Sequence, residues 1–241
     1  MALQGIDISN WQSDLIIDNI DCDFAIVKAT QGNWYTSQTL KHQADATIAS
    51  GKKLGLYHYA EGSDVESEVN HFLEVAKPYL FKAILCLDWE SYQNRGFGVN
   101  DYAWCKTFLD KVFHRTGVRP LLYCQQSIKS RFDGIGNYGL WVAQYPNNDI
   151  VDGFQERPWN EGKYQCAIRQ YTSNGRLPGY RGALDLDKFY GDRTAWDLYA
   201  NPNGQKEVES GWIQKTDGLH YFDENGKEVI FIPGWGGAVD G

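Results

Sequence analysis

Apolar positions come in short continuous runs through the first two hundred residues, separated by polar turns or by segments with helical spacing. A run of four to eight apolar residues bounded by turn residues marks a strand buried on both faces, as parallel strands are. Eight strands are predicted, over residues 4–8, 23–29, 54–59, 83–87, 119–124, 140–144, 165–170 and 183–186. Helical spacing is predicted over 13–19, 38–50, 63–77, 100–116, 127–132 and 193–199. Gly51 and Gly117 stand where helices stop, and Pro78 cannot continue one. Ser63 with Glu66 three residues on reads as a capping box, and Asn100 as an N-cap.

Strand and helix alternate through the first five units, which requires crossover connections and a parallel inner sheet. The last three strands follow one another through loops or hairpins. The fold class is therefore α/β: an incomplete TIM-like barrel of five β/α units followed by three strands. An open doubly wound sheet is the competing arrangement. The barrel is expected to span 1–200 and a linker 201–210, beginning Asn201-Pro202-Asn203-Gly204. Gly211-Trp212 and Gly234-Trp235 then bracket a segment of different composition, 211–235, expected to form a small β-hairpin repeat, with 236–241 as a tail.

The fourth strand changes the picture from fold to chemistry. Ala83-Ile84-Leu85-Cys86-Leu87 runs directly into Asp88-Trp89-Glu90. Side chains at i and i+2 of a strand share a face, so Asp88 and Glu90 project together if the strand continues. The C-terminal ends of parallel strands are where such folds build their sites. Asp7, and Asp185 with Asp187, stand at the ends of the first and eighth strands. In a barrel all of these reach one mouth. Clustered carboxylates repel, so one keeps its proton at higher pH while a neighbour stays charged. One protonated donor and one charged stabiliser is what glycoside hydrolysis needs. Solvated loop acids are the bland alternative. A carboxylate cluster also suits Ca²⁺ or Mg²⁺, but the calcium-loop spacing is absent and no metal is expected. Tyr57, Tyr59, Tyr123, Trp141 and Gln170 fall at or near strand ends, as wall of a sugar groove or as rim packing. Lys28, also near a strand end, would depress the pKa of a neighbouring acid.

Composition narrows the field. Aromatics reach 15%, with nine Trp and fifteen Tyr, a surplus that suits sugar rings as well as core. A net charge of -8 argues against nucleic acid or an anionic membrane as partner. No apolar run is long enough for a transmembrane helix. The N-terminus lacks the pattern of a secretory signal. Cysteines at 22, 86, 105, 124 and 166 form no disulfide framework or CxxC pair, so buried thiols are expected. There is no HExxH and no Gly-rich phosphate loop, so neither zinc nor nucleotide is expected, nor any other cofactor.

Several segments, in order, resemble glycoside hydrolase family 25, the Chalaropsis-type lysozymes. These are Gly5-Ile6-Asp7-Ile8-Ser9 with Trp11, and Phe24-Ala25-Ile26-Val27-Lys28-Ala29-Thr30 with Gly32. Gly55-Leu56-Tyr57-His58-Tyr59, Leu87-Asp88-Trp89-Glu90 and Leu121-Leu122-Tyr123 follow. Leu140-Trp141-Val142-Ala143-Gln144-Tyr145, Arg169-Gln170-Tyr171-Thr172 and Leu184-Asp185-Leu186-Asp187 complete the series. The family more often has Asn at the position of Asp187, so Asp185 is the stronger carry-over. The resemblance covers about residues 4–199. It implies cleavage of the β-1,4 bond between N-acetylmuramic acid and N-acetylglucosamine in bacterial peptidoglycan. It implies Glu90 as general acid, Asp88 orienting the substrate N-acetyl group, and Asp7 and Asp185 completing an acidic floor. The C-terminal segment resembles choline-binding cell-wall repeats, which implies choline or wall teichoic acid as partner, with Trp212, Tyr221 and Trp235 supplying rings. Its second repeat is truncated, so weak or absent choline binding is expected. The combination looks like a phage lysin, made in the host cytoplasm and acting on the wall after release. Asp88-Trp89-Glu90 also resembles the end of a chitinase DxDxE motif, but Cys86 stands where its first Asp belongs. A sugar-binding module without catalysis is the third reading.

Overall fold

The computed structural model describes residues 1–202 throughout and, beyond them, the backbone of 211–215, 218–222, 228–231 and 238–240. Eight strands close a barrel: β1 (Leu3–Ile8), β2 (Phe24–Gln31), β3 (Lys53–Tyr59), β4 (Ala83–Asp88), β5 (Leu121–Gln125), β6 (Leu140–Ala143), β7 (Ile168–Arg176) and β8 (Leu184–Phe189). They pair in chain order, and β8 returns to β1 to shut the ring. Closure excludes the open sheet. Strands β1 to β7 are parallel, whereas β8 runs antiparallel to both of its neighbours. Helices α1 (Leu40–Ala49), α2 (Val65–Ala76) and α3 (Asp101–Thr116) follow β2, β3 and β4. The first and fifth crossovers carry 3-10 turns instead, Asn10–Gln12 with Ile17–Asn19 and then Gln126–Phe132. Helix α4 (Arg193–Ala200) follows β8.

Two apolar layers explain why the strand sequences are apolar on both faces. Ala25, Val27, Leu54, Leu56, Leu85, Leu87, Leu122 and Cys124 point outward, into a core shared with α1 to α3. Their neighbours Phe24, Ile26, Ile84, Cys86, Leu121, Tyr123 and Trp141 point into the barrel. At the end away from the site, Trp196 of α4 plugs the barrel. Its ring centroid lies 4.6 Å from that of Phe24 and 5.1 Å from that of Phe189, and its Nε1 donates to the Leu54 carbonyl at 3.2 Å. Gly5 is required beside this plug, because a Cβ there would stand 2.4 Å from the Phe24 ring. All five cysteines are free thiols, and Cys86, Cys105 and Cys124 are buried.

Several local expectations are corrected. The N-cap of α2 is Asp64, which accepts from the Ser67 amide at 2.9 Å. Ser63 is drawn off instead by Glu68, donating from its amide at 2.7 Å and its hydroxyl at 2.6 Å. Asn100 occupies the N-cap of α3 without a side-chain bond. The segment 13–19 is not one helix: a turn and an irregular stretch lead into a single 3-10 turn, Ile17–Asn19. Strand β2 continues past Lys28 to Gln31, since a short strand, Tyr35–Thr36, folds back to pair with it. β7 begins three residues late and runs on to Arg176, where the short strand Val151–Asp152 joins it. β8 extends to Phe189, so Asp187 lies within the strand.

The chain divides into two compact units, Met1–Asn203 and Gly204–Gly241. The second has an antiparallel sheet of Gly211–Lys215, Gly218–Phe222, Glu228–Phe231 and Ala238–Asp240, with Trp212 opposite Tyr221 in register. The segment 203–210 of the expected linker, Trp235, and residues 236–237 and 241 of the expected tail lie outside the described residues.

Candidate active site

The pair on β4 is aimed by the residue between its members. Trp89 faces outward and is fully buried, donating Nε1–H to Asp101 at 2.8 Å and packing on Trp104 at 5.0 Å between centroids. Its amide still pairs with the Tyr123 carbonyl at 3.1 Å, so strand geometry persists beyond Asp88. With Trp89 pinned outside, period-two alternation turns Asp88 and Glu90 to the barrel mouth. Asp88 is buried, and its Oδ1 has no hydrogen-bond partner in the protein.

The remaining acids arrive from the closing seam. Asp7 on β1 stands opposite Asp185 on β8. Because β8 runs downward, Asp185 lies at its start rather than its end, which is why it reaches the same mouth as the C-terminal ends of the parallel strands. Asp187 lies one inward step deeper, fully buried, and its Oδ1 accepts from Trp141 Nε1 at 2.8 Å. Its Oδ2 is buried without a hydrogen-bond partner, and the Asp7 carboxyl lies close enough to be raised by it. Asp7 Oδ2 in turn accepts from Gln170 Nε2 at 2.6 Å. Gln170 Oε1 accepts from Tyr123 at 2.9 Å and from Tyr145. The Tyr123 hydroxyl lies against Glu90 as well. One hydrogen-bond network therefore runs from Asp7 through Gln170 to Tyr123, beside Glu90.

Electrostatics separates these groups from ordinary surface acids. Burial pushes Asp7, Asp88, Asp185 and Asp187 well above the usual carboxylate range. Repulsion adds to it: Asp187 acts on Asp7, Glu90 on Asp88, and Asp7 on Asp185. Glu90 is raised too, mainly by burial, with Lys28 and Tyr123 pulling the other way. Burial lowers Lys28 itself, against the attraction of Asp88 and Glu90. Its Nζ donates to Gln31 at 2.8 Å and sits 4.6 Å from the Tyr59 ring centroid. Lys28 thus holds part of the negative charge of the pair in place.

These groups open onto a cavity of about 640 Å³. Each barrel residue singled out from the sequence lines it: Asp7, Lys28, Tyr57, Tyr59, Asp88, Glu90, Tyr123, Trp141, Gln170 and Asp185. Tyr57 and Trp141 are also packed edge to face at 6.3 Å, and Tyr123 and Trp141 at 4.6 Å, so these rings pack against one another as well as lining the cavity. Trp11, Tyr145, Gln126 and Ser127 line the cavity as well, without having been picked out as site residues. Trp11 and Tyr145 stand within the quoted motifs, and an aromatic just past a strand end is the signal that marks them. The two residues from the 3-10 turn after β5 carry no such signal. For the C-terminal unit, the structure describes only backbone at Trp212 and Tyr221.

Known proteins share this fold. The autolytic lysozyme of Clostridium acetobutylicum is 26% identical over 198 residues, 78% of this chain and 56% of that protein. The chain thus spans little more than half the length of that relative. The catalytic domain of an endolysin from a Listeria monocytogenes bacteriophage superposes with a TM-score of 0.69 at 26% identity, covering 83% of this chain and 98% of that one. A bacterial lysozyme from Streptomyces coelicolor shares the fold, with a TM-score of 0.68 at 21% identity over 85% of this chain and 99% of its own. The model of the glycosyl hydrolases family 25 matches residues 6–180, from β1 to just short of β8, and the chain belongs to that family.

Proposed function

We propose that the barrel is a peptidoglycan muramidase, cleaving the β-1,4 bond between N-acetylmuramic acid and N-acetylglucosamine. The observation that carries this reading is the pair at the end of β4, with Glu90 raised toward the protonated form beside Asp88, whose Oδ1 awaits a donor. Protonated Glu90 delivers its proton to the glycosidic oxygen as the bond from the anomeric carbon breaks. Asp88 accepts from the N–H of the substrate N-acetyl group and so orients and polarises it against the positive charge at that carbon. Water then adds its hydroxide there and returns a proton to Glu90. Asp7 and Asp185, tied into the floor, hold substrate hydroxyls and tune the protonation of the pair. Tyr57, Tyr59, Tyr123, Trp141, Gln170 and Lys28 form the wall.

Glu90→Gln is expected to keep the fold and lower release of reducing ends from purified walls on the order of 10²–10⁴-fold. Near-wild-type rates in a folded sample would sink the role. Mass spectrometry of the products separates this reading from a chitinase, since a muramidase leaves muramic acid at the new reducing end.

The C-terminal unit is read as a wall-binding module and the whole as a lysin of phage type, acting on the host wall once released from the cytoplasm. The Gly-Trp spacing at 211 and 234 supports the first point, and the likeness to the Listeria phage endolysin domain supports the second. Its partner is wall teichoic acid or choline, with choline bound weakly. Micromolar choline affinity by calorimetry would overturn that weakness.

A further inference from the structure

Outside the cavity, the turn after β2 carries an aromatic ring fixed in an exposed position. β2 ends at Gln31, and Tyr35–Thr36 folds straight back on it, so residues 32–34 form a tight hairpin tip at the barrel mouth. Gly32 has a φ of +52°, and a Cβ there would lie 2.6 Å from a Glu61 carboxylate oxygen. Trp34, at this tip, is 66% exposed. A solvated tryptophan with no partner would be free to move. Here Nε1 donates to both Glu61 oxygens, at 3.2 and 3.1 Å. Gln31 donates to the same carboxylate at 2.9 Å and to Gln93 at 3.0 Å. Gln93 itself has a φ of +55°, a conformation that costs free energy and is found at ligand clamps. The ring is thus anchored by its polar edge while its faces stay open.

The ring stands beyond the cavity and is joined to it through Tyr35 and Lys28. Tyr35 packs against Trp34 with centroids 5.7 Å apart, and Lys28, which lines the cavity, lies 5.8 Å from the Tyr35 ring. A flat apolar face suits the axial C–H groups of a pyranose. The amides of Gln31 and Gln93 and the Glu61 carboxylate, arranged around it, suit hydroxyl and acetamido groups.

We propose that Trp34 is the platform of an outlying sugar subsite, stacking on a pyranose ring of the glycan chain beyond the units held in the cavity. The proposal rests on the reading of the barrel as a glycan-cleaving enzyme and specifies how it engages a polymer. Glu61 and Gln31 are positioning residues for the ring.

The test is a binding measurement, so it does not depend on turnover. Calorimetry on Glu90→Gln protein compares peptide-free glycan strands with a tetrasaccharide of the same repeat, with and without Trp34→Ala. Loss of one stacking contact is expected to weaken long-strand binding about tenfold and leave the tetrasaccharide unchanged. Trp34→Phe should recover most of the affinity, and Glu61→Ala should lose part of it. Circular dichroism confirms folding, which an exposed position should not disturb. Unchanged affinity for long strands in Trp34→Ala would overturn the proposal. So would an equal loss for both ligands, or a loss confined to strands that still carry peptides. If wild-type protein binds strands through Trp34 yet releases no reducing ends, the muramidase reading fails and the subsite stands.

Discussion

Asp7 and Asp185 face each other across the antiparallel seam of β1 and β8. Each is pushed upward by burial; repulsion from Asp7 raises Asp185 further, while Asp187 and Glu90 raise Asp7. The relationship exists because β8 reverses direction. Had it run parallel like its predecessors, Asp185 would lie at the plugged end beside Trp196, far from the β4 pair.

Beneath that seam, Asp187 occupies the position where the family more often has Asn. Trp141 donates to it, and burial pushes its carboxyl well above the usual range, toward the protonated form. Asp187→Asn is therefore expected to keep wall-lysing activity, because the amide donates and accepts along the same directions. Its effect on stability carries a sign. A carboxyl whose folded pKa lies above its unfolded value binds more protons in the folded state, so the wild type loses stability as pH rises from about 4. The variant escapes that loss. Thermal melts should coincide in strong acid, with the variant melting higher toward neutral pH. A wild type equal to the variant at neutral pH would show the carboxyl to be ionised without penalty.

Lys28→Met should move the pH profile of kcat/KM toward alkali. The lysine lowers both Asp88 and Glu90. Without it each holds its proton to higher pH, so the acid limb, set by the group that must ionise, and the alkaline limb, set by the donor, both shift upward. A profile that stays in place would place Lys28 outside the electrostatics of the pair.

On the outer face of β3, His58 is fully buried and accepts at Nδ1 from Thr30 at 2.8 Å. Its Nε2 donates to Glu68 at 2.9 Å, and burial holds the imidazole neutral. Burial works against the Glu68 charge, but the hydrogen bonds from His58 and Ser63 outweigh it. Glu68 also accepts from the Glu61 amide at 3.1 Å, so it fixes the loop that anchors Trp34. Glu68→Ala is expected to cost roughly 3–5 kcal/mol in denaturant unfolding, since it strands these donors in the core. A loss below about 1 kcal/mol would mean that water replaces the carboxylate.

Much of this was legible in the sequence because both signals were local. The apolar runs state that the strands are buried on both faces, and Asp88-Trp89-Glu90 places two acids on one side of a strand by spacing alone. Strand direction was not legible. Nothing in Leu184-Asp185-Leu186-Asp187 says that the chain has turned round, so by sequence alone the acids at the start of β8 look like acids at a strand end. Caps were misread for a related reason: Ser63 satisfies the local capping pattern, yet a buried Glu68 competes for it more strongly. The departure of Asp187 from the family pattern hides its place beside Asp7 and Trp141, neighbours that only the closed barrel creates.

The closing seam sets the order in which the chain assembles its acidic site during synthesis. A nascent chain that has emerged only as far as Arg176 already contains Asp7, Asp88 and Glu90. It still presents two unpaired strand edges, β1 and β7, and has no plug. The cost of crowding buried carboxylates arises only when β8 docks. The site is thus assembled late, from pieces made early.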